Sequence, residues 1–147
     1  MFKHILIPTD GSPRSRKAIS TGVKLAKSLG ARVTGLFAAP PATPVVYRDL
    51  LPIGYSTPHE HARMIKESAE RYLAVIEEAA KKAGVPYDGI QVTDDFPADA
   101  ILAMAKKRKC DLIVMATHGR RGIKGVLLGS ETQKVLTHST VPVLVCR

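Results

Sequence analysis

The segment from Ala116 to Thr132 carries the clearest chemical signal of this 147-residue chain. Glycines, which let a backbone approach a ligand closely or take positive φ, recur in it as Gly119, Gly122, Gly125 and Gly129. The sequence Ser130-Glu131-Thr132-Gln133 fits a capping box that opens a helix, and the amides at a helix start bind anions. Basic side chains nearby are His118, Arg120, Arg121 and Lys124. The segment predicts a phosphate site, and the alternative is an ordinary glycine-rich loop with a capping serine.

A lone carboxylate, Asp10, ends the first apolar run of the chain. A carboxylate in that position can accept hydrogen bonds from the hydroxyls of a ribose. Capping of the next helix within Asp-Gly-Ser-Pro is an equally good explanation, so the residue types alone leave both open.

A repeated strand-then-helix pattern along the chain would position these candidate site residues. Strands are predicted at residues 3–9, 31–39, 89–94, 111–117 and 141–147. Helices are predicted after Ser12-Pro13, after the capping box Thr57-Pro58-His59-Glu60, at Pro97 and at Ser130. Between the second strand and second helix runs a proline-rich connection, residues 40–58, which is either a functional loop or a variable insertion.

Five strands alternating with four helices predict an α/β fold. Right-handed crossovers would make a five-stranded parallel sheet, doubly wound and Rossmann-like, with helices on both faces. Such sheets bind ligands beyond the carboxyl ends of their strands, at the switch point. The site should therefore use segments after strands 1, 2 and 4, within a single domain that spans residues 1–147.

Composition narrows the classes of partner. The formal net charge of +9 attracts anions, but there are only 3 Phe, 4 Tyr and no Trp to stack on bases. The run KKRK at residues 106–109 suits the last turn of a helix, so a nucleic-acid role is disfavoured. Neither a signal peptide nor a membrane span is predicted, and Cys110 and Cys146 fit buried thiols, so we expect a cytoplasmic protein.

At these residues the sequence resembles the universal stress protein family over essentially its whole length. Nucleotide-binding members of that family carry G-x2-G-x9-G-[ST] after strand 4. The corresponding frame here is Ala116, Gly119, Gly129 and Ser130, with alanine in place of the first glycine. The stretches ILIPTDGS, PADAIL and TVPVLVCR are also similar to the family.

The resemblance implies a role for each matching position in an adenine nucleotide site. Asp10 would hold the ribose, while Pro8 and Thr9 shape the adenine pocket and Ala38 meets the adenine through its backbone. The residues that would line the pocket or contact phosphates are Met115, Ala116, His118, Gly119, Gly129, Ser130, Glu131 and Thr132. The resemblance also implies ATP as cofactor, with Mg or Mn carried on the phosphates, and homodimers paired through the last strand.

Several other functions are disfavoured because the sequence lacks the motifs or residue types that they need. Neither G-x4-G-K-[ST] nor G-x-G-x-x-G after a strand is present, so a fast phosphoryl-transfer enzyme is disfavoured and hydrolysis should be slow or absent. A receiver domain would need an acidic pair after strand 1, where this sequence offers Asp10 alone. A flavodoxin-like carrier is disfavoured because the sequence has no Trp and few aromatic residues for flavin stacking. The main alternative is a homodimeric interaction module of the same fold that binds no nucleotide.

Overall fold

The computed structural model describes residues 1–41, 57–119, 125 and 127–147. In these ranges strands and helices alternate along the chain. They are β1 (His4–Pro8), α1 (Pro13–Leu29), β2 (Arg32–Ala39), α2 (Pro58–Ala83), β3 (Tyr87–Thr93), α3 (Pro97–Lys107), β4 (Leu112–Ala116), α4 (Ser130–His138) and β5 (Val143–Cys146).

All the strands pair in parallel, in the order β3-β2-β1-β4-β5. The predicted five-stranded, doubly wound α/β sheet is therefore confirmed. The chain runs from β1 outward to β3 on one side and returns to β4 on the other side of β1. This reversal puts the switch point between the carboxyl ends of β1 and β4.

Helices cover both faces of the sheet. The α1/α2 core includes Ile5, Ile7 and Val114 of the sheet, Val23 of α1 and Ile76 of α2. The α3/α4 core, on the opposite face, includes Leu6, Ile113 and Met115 of the sheet, Ile101 of α3 and Val135 of α4. The central strands β1 and β4 are thus buried on both sides, which explains their almost continuous apolar sequence.

The helix boundaries follow from their caps. Ser12 accepts the amide of Ser15 and is followed by proline, while Gly30 ends α1 with a φ of 62°. Thr57 and Glu60 form the predicted capping box of α2. These features confirm the boundaries predicted for the first two helices, because side-chain and glycine caps satisfy groups that a helix end leaves unpaired.

Two strands differ from the prediction by two residues at one end, while the other three differ by a single residue at one or both ends. β3 begins at Tyr87, two residues early, because Tyr87 pairs with Val33 of β2. β5 covers only Val143–Cys146, because the Ser139 hydroxyl donates to the carbonyl and accepts the amide of Val141, which fixes a turn before the strand. No described helix is both long and apolar enough to cross a membrane.

The basic run and the cysteines lie where they were expected, with one refinement. Lys106 and Lys107 occupy the last turn of α3, and Arg108 just beyond it forms an ion pair with Asp88 of β3. Cys110 and Cys146 are free and buried, as predicted. Burial raises the pKa of the Cys110 thiol to about 11, so this thiol stays protonated near neutral pH.

Candidate functional site

The loops after β1 and β4 meet at the carboxyl edge of the sheet. β1 and β4 are neighbours, with Ile5 opposite Leu112 and Leu6 opposite Ile113. Parallel pairing brings the ends of both strands to one edge, and the loops Thr9–Ser12 and Thr117–Gly119 lie there. The tertiary structure thus joins two segments that are more than a hundred residues apart in sequence.

Asp10 uses its two carboxylate oxygens differently. Its Oδ1 atom accepts the backbone amide of Ser12 at 2.9 Å, which orders the turn into α1. Its Oδ2 atom faces the loop after β4, since a β-carbon built on Gly119 would lie 2.7 Å from it. The loop-capping explanation therefore applies to one oxygen, and the other lies against Gly119 of the loop after β4.

The loop after β1 is held in place by its own side chains. The Thr9 hydroxyl accepts the amide of Gly11 at 3.1 Å and lies 3.2 Å from the hydroxyl of Ser15. The amide of Thr9 donates to the carbonyl of Leu36 at 2.8 Å. Thr9 is buried, so its hydroxyl serves the loop and is turned toward α1. Pro8 and Ala38 are half-buried at the ends of β1 and β2, and Met115 is buried in β4.

Tyr72 of α2 packs on the same loop, a contact that sequence reasoning missed. Gly11 has a φ of 76°, and a β-carbon there would lie 2.2 Å from Tyr72 Cε1. Only glycine fits both this backbone conformation and this contact. The pair Asp10-Gly11 is a turn signal in sequence, but nothing in the sequence identifies Tyr72 as the residue that covers the turn.

The start of α4 differs from the predicted capping box. Gly129 is the N-cap, with φ −69° and ψ 156°, and no side chain caps the helix. Ser130 is already helical, so its hydroxyl stands one position too late to cap. Gln133 directs its side-chain amide to the carbonyl of Leu128 at 3.4 Å. The predicted Ser130–Gln133 capping box is therefore wrong, although the predicted starting residue of the helix is right.

The start of α4 leaves three backbone amides without a hydrogen-bond partner in the helix. The first hydrogen bond of α4 runs from the amide of Gln133 to the carbonyl of Gly129, at 3.0 Å. The amides of Ser130, Glu131 and Thr132 precede it and have no partner within the helix. Unpaired amides at a helix start are the donors that anion sites use.

Glu131 and Thr132 direct their side chains to neighbouring elements. The Glu131 carboxylate accepts the amide of Ala98, at the start of α3, at 2.8 Å. The Thr132 hydroxyl donates to the carbonyl of Ala116 at 3.0 Å. These bonds fix the start of α4 against β4 and α3, so the two residues offer a ligand their amides rather than their side chains.

Close packing at Gly129 fixes the distance between α4 and the loop after β4. The amide of Gly129 donates to the carbonyl of Thr117 at 2.8 Å. A β-carbon on Gly129 would lie 3.3 Å from that carbonyl oxygen and 3.4 Å from the Cα atom of His118. Both Gly119 and Gly129 are therefore positions where a side chain would fill the space between neighbouring segments.

His118 has a buried and unpaired ring nitrogen. Its Nδ1 atom lies 3.2 Å from the Thr117 hydroxyl. Its Nε2 atom is buried and has no hydrogen-bond partner within the described ranges. Buried polar atoms are nearly always paired, so this nitrogen is a candidate contact for a ligand.

Ala116, the departure from the glycine motif, directs its methyl group away from α4. It packs against the α1/α2 core, whereas α4 covers the other face of the sheet. The methyl group therefore does not occupy the space in front of Gly129 and Ser130.

The remaining predicted members fall outside the described residues. These are the basic side chains Arg120, Arg121 and Lys124, together with Gly122 and most of the 40–58 connection. Within the described residues no three His, Cys, Asp or Glu side chains form a group that could hold a metal ion.

Comparison with known proteins gives a family match along the whole chain. Residues 1–147 match the universal stress protein family. The chain is similar to the universal stress protein YxiE of Bacillus subtilis, with 35% identity over 150 residues that cover 100% of both chains. A universal stress protein of Methanocaldococcus jannaschii is 31% identical over 152 residues, which cover 100% of this chain and 83% of that one.

Solved structures show the same fold. One is a universal stress protein in complex with cAMP, with a TM-score of 0.72, 24% identity and coverage of 99% of this chain and 97% of that one. Another is a universal stress protein from Archaeoglobus fulgidus in complex with dAMP, with a TM-score of 0.66, 19% identity and coverage of 100% and 98%.

Proposed function

The chain belongs to the universal stress protein family, and we propose that it is an ATP-binding regulatory or stress-response module with slow or no ATP hydrolysis. The observation that carries the proposal is the pairing of Asp10 with the glycines of the loop after β4. One carboxylate oxygen faces Gly119, and the unpaired amides of α4 begin right after Gly129. In this proposal Asp10 is the ribose acceptor and the start of α4 is the phosphate donor set, at the same edge of the sheet.

The residues present fit an adenine nucleotide in three respects. A β-carbon at Gly119 would meet Asp10 and one at Gly129 would meet Thr117, so glycine at both positions lets these segments approach closely. Nε2 of His118 is buried without a partner within the described ranges. The amides of Ser130, Glu131 and Thr132 face outward from a helix start, where the helix dipole favours negative charge.

The adenine part of the site would lie at the ends of β1 and β2. In this proposal Pro8 and Thr9 shape the pocket, Ala38 meets the base through its backbone, and Met115 and Ala116 line the floor. Family members solved with cAMP and dAMP indicate that this fold can accept adenine mononucleotides. The choice of ATP rests on the phosphate donors of α4.

Slow hydrolysis follows from the side chains near the proposed phosphates. Two acids are among the described residues of the site: the Glu131 carboxylate accepts the amide of Ala98, and the proposal gives Asp10 to the ribose. Phosphoryl transfer needs a positioned nucleophile and stabilisation of the charge on the phosphates. The proposed site mainly provides the charge stabilisation. We expect turnover far below the roughly 1–100 s⁻¹ of kinases.

The proposal includes the assembly and location expected from the sequence. β5 is an edge strand, and Leu144 on it is 38% exposed. Pairing of two copies through β5 would cover this edge. We propose a cytoplasmic homodimer.

The test is to identify the nucleotide that co-purifies and then to titrate the emptied protein. Mass spectrometry of the denatured protein should release an adenine nucleotide, and calorimetry should show saturable ATP binding with weaker GTP binding. If neither ATP, ADP nor AMP binds, the protein is the alternative, a homodimeric interaction module without a nucleotide.

A further inference from the structure

A second cleft opens on the α1 side of the sheet, beside the ends of β4 and β5. Its volume is about 440 Å³, within the range of about 300–1,000 Å³ typical of small-molecule sites. Three elements contribute its polar lining, which consists of Arg14 and Lys17 from α1, Thr117 and His118 after β4, and Arg147 after β5.

The charge of this cleft is one-sided. No Asp or Glu side chain is among the described residues that line it. Arg14 and Lys17 are also absent from the ion pairs found within the described ranges. An anion would therefore meet two basic side chains of α1 that no described carboxylate neutralises.

The position of these cations on α1 is unfavourable for the helix itself. The first turn of α1 contains no acidic residue, although a helix start carries partial positive charge and is stabilised by Asp or Glu. Arg14 and Lys17 add positive charge at that end. A sequence that breaks a local rule in this way often does so for function, and a bound anion would offset both the side chains and the helix dipole.

The cleft is next to the proposed nucleotide site but distinct from it. Thr117 and His118 form a wall between the two, because Gly129 packs against their backbone at 3.3–3.4 Å from its β-carbon position. His118, whose Nε2 atom is buried and unpaired within the described ranges, belongs to this wall.

We propose that the cleft binds an anion made of several linked phosphate groups, held chiefly by Arg14 and Lys17. Arginine grips phosphate oxygens in pairs and lysine binds them as a point charge. The volume and the separate origins of the basic side chains suit a chain of phosphates better than a single ion. The site does not depend on the nucleotide site, so failure of ATP to bind would leave it intact.

The experiment is a titration of the ¹⁵N-labelled full chain with inorganic tripolyphosphate, followed by amide chemical shifts at constant ionic strength. Shifts should centre on residues 14–17, 117–118 and 146–147. The double variant Arg14→Gln/Lys17→Gln should weaken binding about tenfold or more, because two charge-assisted contacts are lost. The control Lys24→Gln/Lys27→Gln removes the same charge from exposed positions of the same helix, and binding should stay within about twofold.

Folding and ligand source are checked in the same samples. Arg14→Gln/Lys17→Gln should unfold at the same or a higher temperature than the natural chain, because it removes cations from a helix start. If ATP and tripolyphosphate bind together, the cleft is separate from the nucleotide site, as proposed. If ATP displaces tripolyphosphate, the two sites are one and the proposal fails.

Three further results would overturn it. They are shifts confined to residues around Gly129 and Ser130, equal losses in the two double variants, and equal binding of citrate with the same residues shifted. The second would mean that only the general positive field attracts the anion, and the third that phosphate is not the preferred group.

Discussion

A carboxylate oxygen of Asp10, at the end of β1, lies so close to Gly119, after β4, that a β-carbon on the glycine would be 2.7 Å from it. The two residues are on neighbouring strands at the switch point of the sheet. Their proximity puts the carboxylate against the backbone of the loop after β4. The first two predictions test this contact by substitution.

Asp10→Ala should weaken ATP binding about ten- to a hundredfold, because a charge-assisted hydrogen bond contributes about 1.5–3 kcal/mol. Asp10→Asn should show how much of this comes from the charge, since its side-chain oxygen can still accept the amide of Ser12. Calorimetry measures both. Asp95→Ala, which removes an exposed carboxylate elsewhere, should have no effect. An unchanged affinity in Asp10→Ala with an intact fold would remove Asp10 from the site.

Gly119→Ala should also reduce ATP affinity, because the new methyl group must displace the Asp10 carboxylate or the loop. Gly129→Val should abolish binding, since its side chain would crowd Thr117 and His118 and the space before α4. Ser130→Ala should cost less, because the amides of the helix start remain. Thermal unfolding by circular dichroism must show that each variant folds. Full affinity in a folded Gly129→Val would contradict the phosphate site.

Ala116→Gly should leave ATP affinity unchanged or slightly improved. The methyl group of Ala116 packs against the α1/α2 core, on the face opposite α4, so its removal opens no space for phosphates. Titration of the natural chain and the variant side by side is the measurement. If only the variant binds ATP, the methyl group closes the pocket and the natural protein belongs to the non-nucleotide class.

The chain should sediment with a mass near twice 15.9 kDa at micromolar concentration, through pairing of β5. Leu144→Lys should shift it toward the monomer, because Leu144 is 38% exposed on this edge strand and a lysine there opposes strand pairing. Leu144 is preferable to Val143, which packs against the α3/α4 core. Met64→Lys, at a 55% exposed position of α2, is the control. A monomeric natural chain would refute the dimer.

Stability should fall as pH decreases from about 7 to 5.5 because of His4. The Thr34 hydroxyl donates to Asp88 and so accepts from His4 Nε2, which leaves Nδ1 to accept from Arg32. Burial, and then the charge of Arg32, lower the pKa of His4 in the folded protein, against a smaller opposing effect of Asp88 and Asp111. The unfolded chain therefore takes up its proton first, below about 6.5, and unfolding becomes easier.

The measurement is the free energy of unfolding from urea titrations across this pH range. His4→Gln should flatten the dependence, because a glutamine can donate to Thr34 but does not titrate. His59→Gln, which replaces an exposed histidine, should not flatten it. A natural chain whose stability is constant over this range would show that the folded protein does not hold His4 neutral.

The order of elements could be read from the sequence because each local signal agreed with the next. Ser12-Pro13, the Thr57–Glu60 capping box and the apolar runs of β1 and β4 all act through near neighbours in the chain. The Ser130–Gln133 capping box failed for a reason that is not local. Gly129 is held by the carbonyl of Thr117 and becomes the N-cap, so the helix begins one residue earlier than a serine cap at Ser130 requires.

What the sequence by itself determined is the alternation of strands and helices, the parallel sheet and the segments that lie at its carboxyl edge, because apolar periodicity and caps depend on residue types at short range. What only the tertiary structure decided is which atoms meet. Asp10 facing Gly119, Tyr72 covering Gly11, and Arg14 and Lys17 converging with Arg147 on one cleft all join residues distant in sequence. Such contacts are set by strand order and helix packing, which no local pattern encodes.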